Sequence, residues 1–195
     1  LASALGKAKA MGVTYKQGSK ESAMVEAPDG IWLELIEDRT LDSPAAHHHI
    51  HFHTPAVAQM KAWYMKTFGA VPGNRGRIEA ANLPGVNLSF EEPKGPSEPT
   101  KGRSLDHIGF EVKNLEAFCR KLEAQGVKFD VPYKKVPSLN IALAFLTDPW
   151  GTRHEFVSGQ HRRPGTFWPG RPLGGFVADD FGLGHVVLIV PDLAE

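Results

Sequence analysis

The stretch SLDHIGFEVKNLEAFCRKLEAQGVKFDVP, residues 104–132, decides the fold because it repeats an earlier part of the chain. The earlier copy is AHHHIHFHTPAVAQMKAWYMKTFGAVPG, residues 46–73. Each copy reads as an alternating strand, a short break, an amphipathic helix, a glycine and a second strand. The repeat predicts two copies of one supersecondary unit.

Both predicted helices carry apolar residues at helical spacing, which indicates one buried face in each. Asn114 is a suitable N-cap for the second helix, and Gly126 follows its end. The apolar positions are Val57, Met60, Tyr64 and Phe68 in the first helix, and Leu115, Phe118 and Leu122 in the second.

Three predicted strands follow each helix, so each unit is a βαβββ module. A single module is too small to be stable alone, and we expect the two to pair into one α+β domain of curved mixed sheets around a cleft. The predicted strands cover residues 70–73, 77–83 and 86–91 in the first module, and 127–131, 141–146 and 152–158 in the second.

Charge and composition exclude several classes of protein. The 195 residues include 22 basic and 22 acidic side chains, and a nucleic-acid-binding chain would normally have a basic excess. No apolar run approaches the roughly 18 residues of a membrane span. The single cysteine, Cys119, excludes an intramolecular disulfide, and we expect it to pack within its helix.

Histidine suggests a metal site. His49 and His107 hold equivalent places in the two first strands, each eight positions before the residue that opens the helix, and Glu155 lies in the last strand. Two imidazoles and one carboxylate can bind a divalent cation and leave positions open for substrate. The alternation of the strand places His51 and His53 on the same face as His49, as candidate acid/base residues.

The two ends of the chain look like parts of further modules. Residues 1–44 read as a module that lacks its first strand, and 182–195 read as a first strand with a helix start. A Gly- and Pro-rich connector at 159–181 separates that tail from the central domain at 45–158. Truncation, recombination and strand exchange between copies all fit this pattern. We therefore expect a homo-oligomer, with strand or module exchange as one route to it.

The histidines in HHHIHFHTPAV and LDHIGFEVKNL, with the glutamate in DPWGTRHEF, resemble the vicinal oxygen chelate superfamily. That superfamily includes glyoxalase I, bleomycin-resistance proteins and type I extradiol dioxygenases. The resemblance implies that His49, His107 and Glu155 are the metal ligands. Glu34 and His185 occupy similar positions in the flanking pieces, and the sequence leaves open whether they join a second metal site.

The resemblance implies one of three activities, of which an extradiol-type ring-cleaving dioxygenase acting on a catechol-like substrate is the leading one. A glyoxalase I-type lyase or isomerase would need a fourth ligand where we place Asn87. The usual extradiol tyrosine is replaced by Phe145. A metal-free binding protein is the third alternative, with Trp63, Trp150 and Phe90 holding a flat ligand.

The resemblance also implies one divalent metal ion, with Fe(II) favoured over Mn, Zn and Ni because two His and one carboxylate suit non-haem iron. We expect a small-molecule substrate, no nucleic-acid or membrane partner, and a cytoplasmic location.

Overall fold

The computed structural model describes residues 1–27, 30–41, 46–93 and 95–159, together with the backbone of 181–188. The chain divides into two compact units, one within residues 1–46 and the other spanning His47–Leu188. The predicted connector at 159–181 lies almost entirely outside the described residues, as does the end of the predicted tail beyond residue 188.

The first unit contains one helix and three strands, in the order that the sequence predicts. Helix α1 spans Ala2–Ala10, followed by β1 at Tyr15–Gln17, β2 at Ser22–Glu26 and β3 at Trp32–Ile36. The strands form an antiparallel sheet in the order β1-β2-β3. Glu34 lies in β3 and is partly buried.

The second unit begins with a βαβββ module. Its strands form one sheet in the order β4-β7-β6-β5, in which β4 and β7 are parallel and the other pairs antiparallel. Its elements are β4 at His49–His53, α2 at Val57–Phe68, β5 at Val71–Arg75, β6 at Ile78–Leu83 and β7 at Val86–Glu91.

A second module repeats this topology, with the order β8-β11-β10-β9 and a parallel β8/β11 pair. One further strand, β12 at Phe181–Leu188, pairs antiparallel with the other edge of β8. The elements of the module are β8 at Leu105–Val112, α3 at Leu115–Ala124, β9 at Val131–Val136, a 3-10 turn at Pro137–Leu139, β10 at Ile141–Thr147 and β11 at Arg153–Ser158. The predicted α+β fold of paired βαβββ modules is confirmed.

One strand prediction is wrong. The sequence predicts a strand at 127–131, but β9 begins at Val131, where the ladder with β10 starts opposite Phe145. The chain leaves α3 through Gly126, whose φ of +85° turns it sharply. Apolar residues in this segment, such as Val127 and Phe129, pack against the core without joining the sheet.

Helix α2 lies between the two sheets. Its Tyr64 ring packs 5.1 Å from Phe52 of β4, while its Phe68 ring packs 6.0 Å from Phe110 of β8 and 5.7 Å from Phe156 of β11. These side chains belong to one continuous core shared by both modules. Burying each large apolar side chain contributes about 1.5–3 kcal/mol, so this contact joins the modules firmly.

A buried polar network crosses the same interface. The Tyr64 hydroxyl donates to Asp148 Oδ2 at 2.8 Å and lies 3.0 Å from His154 Nε2. Burial opposes the charged form of Asp148, but hydrogen bonds from His154 and Tyr64 outweigh it and hold the pKa of that carboxyl below its usual value. The network fixes α2 to the turn between β10 and β11.

Among the described residues, no helix is long and apolar enough to cross a membrane.

Candidate functional site

The two modules turn their histidines in opposite directions. On β4, Phe52 faces the shared core, so the alternation of the strand places His49 and His51 on the outer face. On β8, Phe110 faces the core, so His107 is on the outer face of the second sheet. Because α2 and the core separate the sheets, the two outer faces lie on opposite sides of the unit.

His107 and Glu155 converge on the outer face of the second module. His107 Nε2 lies 3.3 Å from Glu155 Oε2, and the two side chains are only 11% and 14% exposed. The strands bring them together because β11 runs parallel to β8 with Glu155 opposite Gly109, two residues after His107. Two ligands at about 2.1 Å from one metal ion are separated by about 3.0–3.4 Å. The observed spacing fits a pair of ligands in one coordination shell.

Asp106 fixes the orientation of His107. Its Oδ1 accepts from His107 Nδ1 at 2.5 Å and from Arg153 at 2.9 Å, while its Oδ2 accepts from the Gly102 amide at 2.5 Å. An Nδ1–H held by a carboxylate leaves the Nε2 lone pair free to bind a metal, which is the usual second contact of a metal-binding histidine. The centre contains two carboxylates, Asp106 and Glu155, and one guanidinium, Arg153. Its net charge is therefore negative, which suits a cation.

The titration of His107 reflects the same neighbours. Burial disfavours its charged form, but hydrogen bonds to Glu155 and Asp106 outweigh it and raise the pKa of His107 above its ordinary value. Burial also works against the charged form of Asp106, and the Gly102 amide, His107 and Arg153 together lower its pKa. Without a metal, a proton on His107 satisfies the two carboxylates, and a metal ion would displace that proton.

Phe145 forms a wall of this centre. It pairs with Glu155 across β10 and β11, and its ring contacts that of His107 at 5.4 Å in an edge arrangement. The Arg153 guanidinium lies 4.3 Å above the Phe145 ring. The centre therefore has an apolar aromatic side, where a hydroxyl-bearing tyrosine would have offered a proton.

The structure does not bring the predicted ligand His49 together with His107 and Glu155: His49 lies beside His51 on the outer face of the other sheet. His51 and His53, the predicted acid/base residues, lie on the same strand and face as His49. Within the part of the chain that the structure describes, no third His, Cys, Asp or Glu side chain completes a cluster with His107 and Glu155.

His185 lies in β12, whose backbone alone is described. The register pairs His185 with Gly109 of β8, which is the residue that Glu155 faces from the other side. His185 and Glu155 therefore occupy the same row of the sheet, on either side of the strand that carries His107.

A second group of polar side chains, the β4 cluster, comprises His48, His49, His51, Glu91 and Arg75. His49 Nε2 lies 2.8 Å from His51 Nε2, and His51 Nδ1 lies 2.6 Å from Glu91 Oε2. Arg75 approaches His51 Nε2 at 3.4 Å, and His48 Nδ1 lies 2.8 Å from His49 Nδ1. His53 stacks on His51 at 6.2 Å and is exposed.

The strand register changes which residue of the first module is equivalent to Glu155 of the second. His107 faces Arg153 on its partner strand, and His49 faces Asn87, so Asn87 matches Arg153. The residue that matches Glu155 is therefore Ser89, not Asn87. Neither Asn87 nor Ser89 has a carboxylate. The first module therefore has no equivalent of Glu155, whichever of the two residues is matched to it.

The aromatic residues proposed for a metal-free binder belong to the core. Phe90 is 1% exposed and stacks on Phe52, while Trp63 and Trp150 pack against each other at 6.2 Å beside the core. His154 lies outside the His107 centre, because the alternation of β11 turns it away from Glu155 and toward buried Tyr64.

The sequence interpretation missed two functional candidates, Asp106 and Glu91. A carboxylate directly before a metal-binding histidine was a usable signal for Asp106. Glu91 lies at the end of β7, and its carboxylate contacts His51.

Comparison with known proteins identifies the family. A sequence model of the Glyoxalase/Bleomycin resistance protein/Dioxygenase superfamily matches residues 48–156, more than half of the chain. The chain is 34% identical over 110 residues to a biphenyl-2,3-diol 1,2-dioxygenase of Pseudomonas sp. (strain KKS102). That alignment covers 50% of the chain, and the chain spans about a third (36%) of the length of this relative.

Two solved structures illustrate the likeness. A lactoylglutathione lyase from Agrobacterium tumefaciens has 17% identity and a TM-score of 0.48, over 60% of this chain and 95% of the other. A superfamily member from Sphaerobacter thermophilus has 17% identity and a TM-score of 0.49, over 59% and 98%.

Proposed function

Because the chain belongs to the glyoxalase/bleomycin resistance protein/dioxygenase superfamily, we propose that it is a metal-dependent enzyme built around His107 and Glu155. The leading reaction is extradiol cleavage of a catechol-like substrate. The observation that carries the proposal is the 3.3 Å approach of His107 Nε2 to Glu155 Oε2 on a half-buried face. Asp106 supports it by holding His107 in the tautomer that a metal needs.

His185 is our candidate for the third protein ligand. Its register position beside Gly109 places it in the row of Glu155. Together with His107 and Glu155 it would supply two imidazoles and one carboxylate, the set that suits non-haem Fe(II) and leaves open positions. Mn, Zn and Ni are the other candidate ions.

A metal ion held by His107 and Glu155 would supply the redox-active centre at which a catechol reacts with dioxygen. The reaction breaks a ring carbon–carbon bond beside a hydroxyl and places both atoms of O2 in the product, so no separate reductant is needed. Arg153, on the same face, would attract the anionic form of the catechol. Phe145 would pack against its ring and keep water away.

Two observations favour the dioxygenase over a glyoxalase. The 34% identical relative carries the name of a dioxygenase that acts on a biphenyl diol. The first module has Ser89 where the second has Glu155, and so lacks the additional carboxylate typical of glyoxalase I. Phe145 cannot exchange a proton, so deprotonation of the catechol would depend on other groups at the centre.

Anaerobic loading with Fe(II), followed by oxygen uptake with catechol and 2,3-dihydroxybiphenyl, tests this function. We expect uptake in the natural chain and its loss in His107→Ala and Glu155→Ala. His53→Ala is the matched control, since His53 is exposed on the other module and should keep full activity. Absence of uptake with every catechol would end the dioxygenase proposal. Isomerisation of a thiohemiacetal with bound Zn or Ni would replace it with the glyoxalase reaction.

A further inference from the structure

We propose that the β4 cluster is a second divalent transition-metal site, with His49 Nε2 and His51 Nε2 as ligands. These atoms lie 2.8 Å apart on the outer face of the first module's sheet. Two ligands at about 2.1 Å in neighbouring positions of an octahedral shell are about 3.0 Å apart. The two nitrogens are thus already spaced to share one ion.

Glu91 prepares His51 for this role. Its carboxylate contacts His51 Nδ1 at 2.6 Å, so the ring proton sits on Nδ1 and the Nε2 lone pair points toward His49. A carboxylate behind a histidine also increases the basicity of the ligand nitrogen. Glu91 therefore has the same relation to His51 that Asp106 has to His107.

The histidines favour a zinc-class ion. Two imidazoles select borderline ions such as Zn²⁺, Co²⁺ and Ni²⁺ over Mg²⁺ and Ca²⁺, which prefer oxygen ligands. Water or further side chains would occupy the remaining positions.

Arg75 limits the affinity of this site. Its guanidinium approaches His51 Nε2 at 3.4 Å, close to the place that the ion would occupy. A fixed positive charge there repels the incoming cation, and Arg75 has to withdraw on binding. Removing that charge should therefore tighten binding, whereas a site that depends on unspecific exposed histidines would not respond.

A titration of the full-length His107→Ala variant with Zn²⁺ and Co²⁺, by calorimetry and by the visible spectrum of Co²⁺, tests the second site without the first. We expect about one ion per chain. Adding His51→Ala should weaken binding at least 100-fold, whereas adding His53→Ala should leave it unchanged. His53 is the matched control because it lies on the same strand and the same face, and its ring stacks on His51.

Two further variants in the same background sharpen the result. Glu91→Gln should weaken binding by about 10–100-fold, the usual effect of losing the carboxylate behind a ligand histidine. Arg75→Met should tighten binding by several-fold. Circular dichroism checks that each variant is folded. No binding by the His107→Ala variant would overturn the proposal. Equal losses in His51→Ala and His53→Ala would also overturn it, because they would indicate a diffuse histidine-rich surface.

Discussion

The first and second modules share one backbone plan and differ in what they place on it. Both have a first strand with an outward histidine and a last strand parallel to it, in matching register. In the second module these two strands carry His107 and Glu155, whereas the matching positions in the first module carry His49 and Ser89. The first module instead has a further histidine, His51, where the second has Gly109. The same scaffold thus offers a histidine–carboxylate pair on one side and a histidine pair on the other.

The difference also shows that internal symmetry does not bring equivalent residues together. The modules pack through α2 and the inner faces of both sheets, so their outer faces point apart. Equivalent histidines therefore lie on different faces of the unit, His107 beside Glu155 and His49 beside His51.

The largest expected effect comes from breaking the packing that holds the modules together. Phe68→Ala should destabilise the protein by about 3–5 kcal/mol, because Phe68 is 3% exposed and contacts aromatic rings of the second sheet. Urea unfolding monitored by tryptophan fluorescence measures the change. Val71→Ala, at a position 59% exposed on β5, is the control and should change stability by less than about 0.5 kcal/mol. A small effect of Phe68→Ala would mean that the modules do not depend on this shared core.

A second variant makes the second module resemble the first. Glu155→Ser introduces the residue that the first module has at the matching position. We expect metal affinity at the His107 centre to fall about 100-fold, equivalent to about 2.7 kcal/mol, because one charged ligand is lost. Competition with a chromophoric chelator measures it. Glu116→Ser, on the exposed face of α3, is the control. Unchanged affinity in Glu155→Ser would show that Glu155 is not a ligand.

The polar link between the modules has a smaller effect that depends on pH. Tyr64→Phe removes the hydroxyl that donates to buried Asp148 and should cost about 2 kcal/mol near neutral pH. The folded pKa of Asp148 is depressed, so its stabilising contribution is present above its unfolded pKa of about 3.9 and is lost as the pH falls through the folded value. The difference between natural chain and variant should therefore shrink in acid. Chemical unfolding at pH 7 and pH 3 measures it, and an equal difference at both values would contradict this role of Asp148.

The smallest expected effect concerns helix capping, which the modules solve differently. Asn114 accepts from the Ala117 amide at 3.3 Å and caps α3, whereas α2 has Ala56 at the N-cap and no side-chain cap. Asn114→Ala makes the second helix resemble the first and should cost about 1 kcal/mol. Asn114→Ser should restore most of the loss. Thermal unfolding measures both, and an unaffected Asn114→Ala variant would show that the cap contributes nothing.

The sequence predicts most of the fold because its signals are local. Alternation and helical spacing located α2, α3 and the strand at 86–91, and the glycine after each helix marked its end. The strand predicted at 127–131 failed because its apolar residues pack without a partner strand. Such a segment has the composition of a strand, and only hydrogen bonding to a neighbouring strand determines whether it joins the sheet.

The candidate site is less predictable because it depends on how the modules pack. Strand alternation assigns His107 and Glu155 to one face, and the parallel pairing of first and last strands then brings them together. It does not say which face of each sheet meets the other module. Apolar residues on several sides of α2, including Met60, Trp63 and Phe68, were the available signal that this helix lies between the sheets. Aligning GVNLSF with GTRHEF would likewise have matched Ser89 to Glu155.

The most direct test of separate centres is a double-mutant cycle of metal content with His49→Ala and His107→Ala. We expect about two ions per chain in the natural protein, about one in each single variant and none in the double variant, with losses that add. A complete loss of metal in either single variant would contradict it, because it would mean that His49 and His107 share one ion after all.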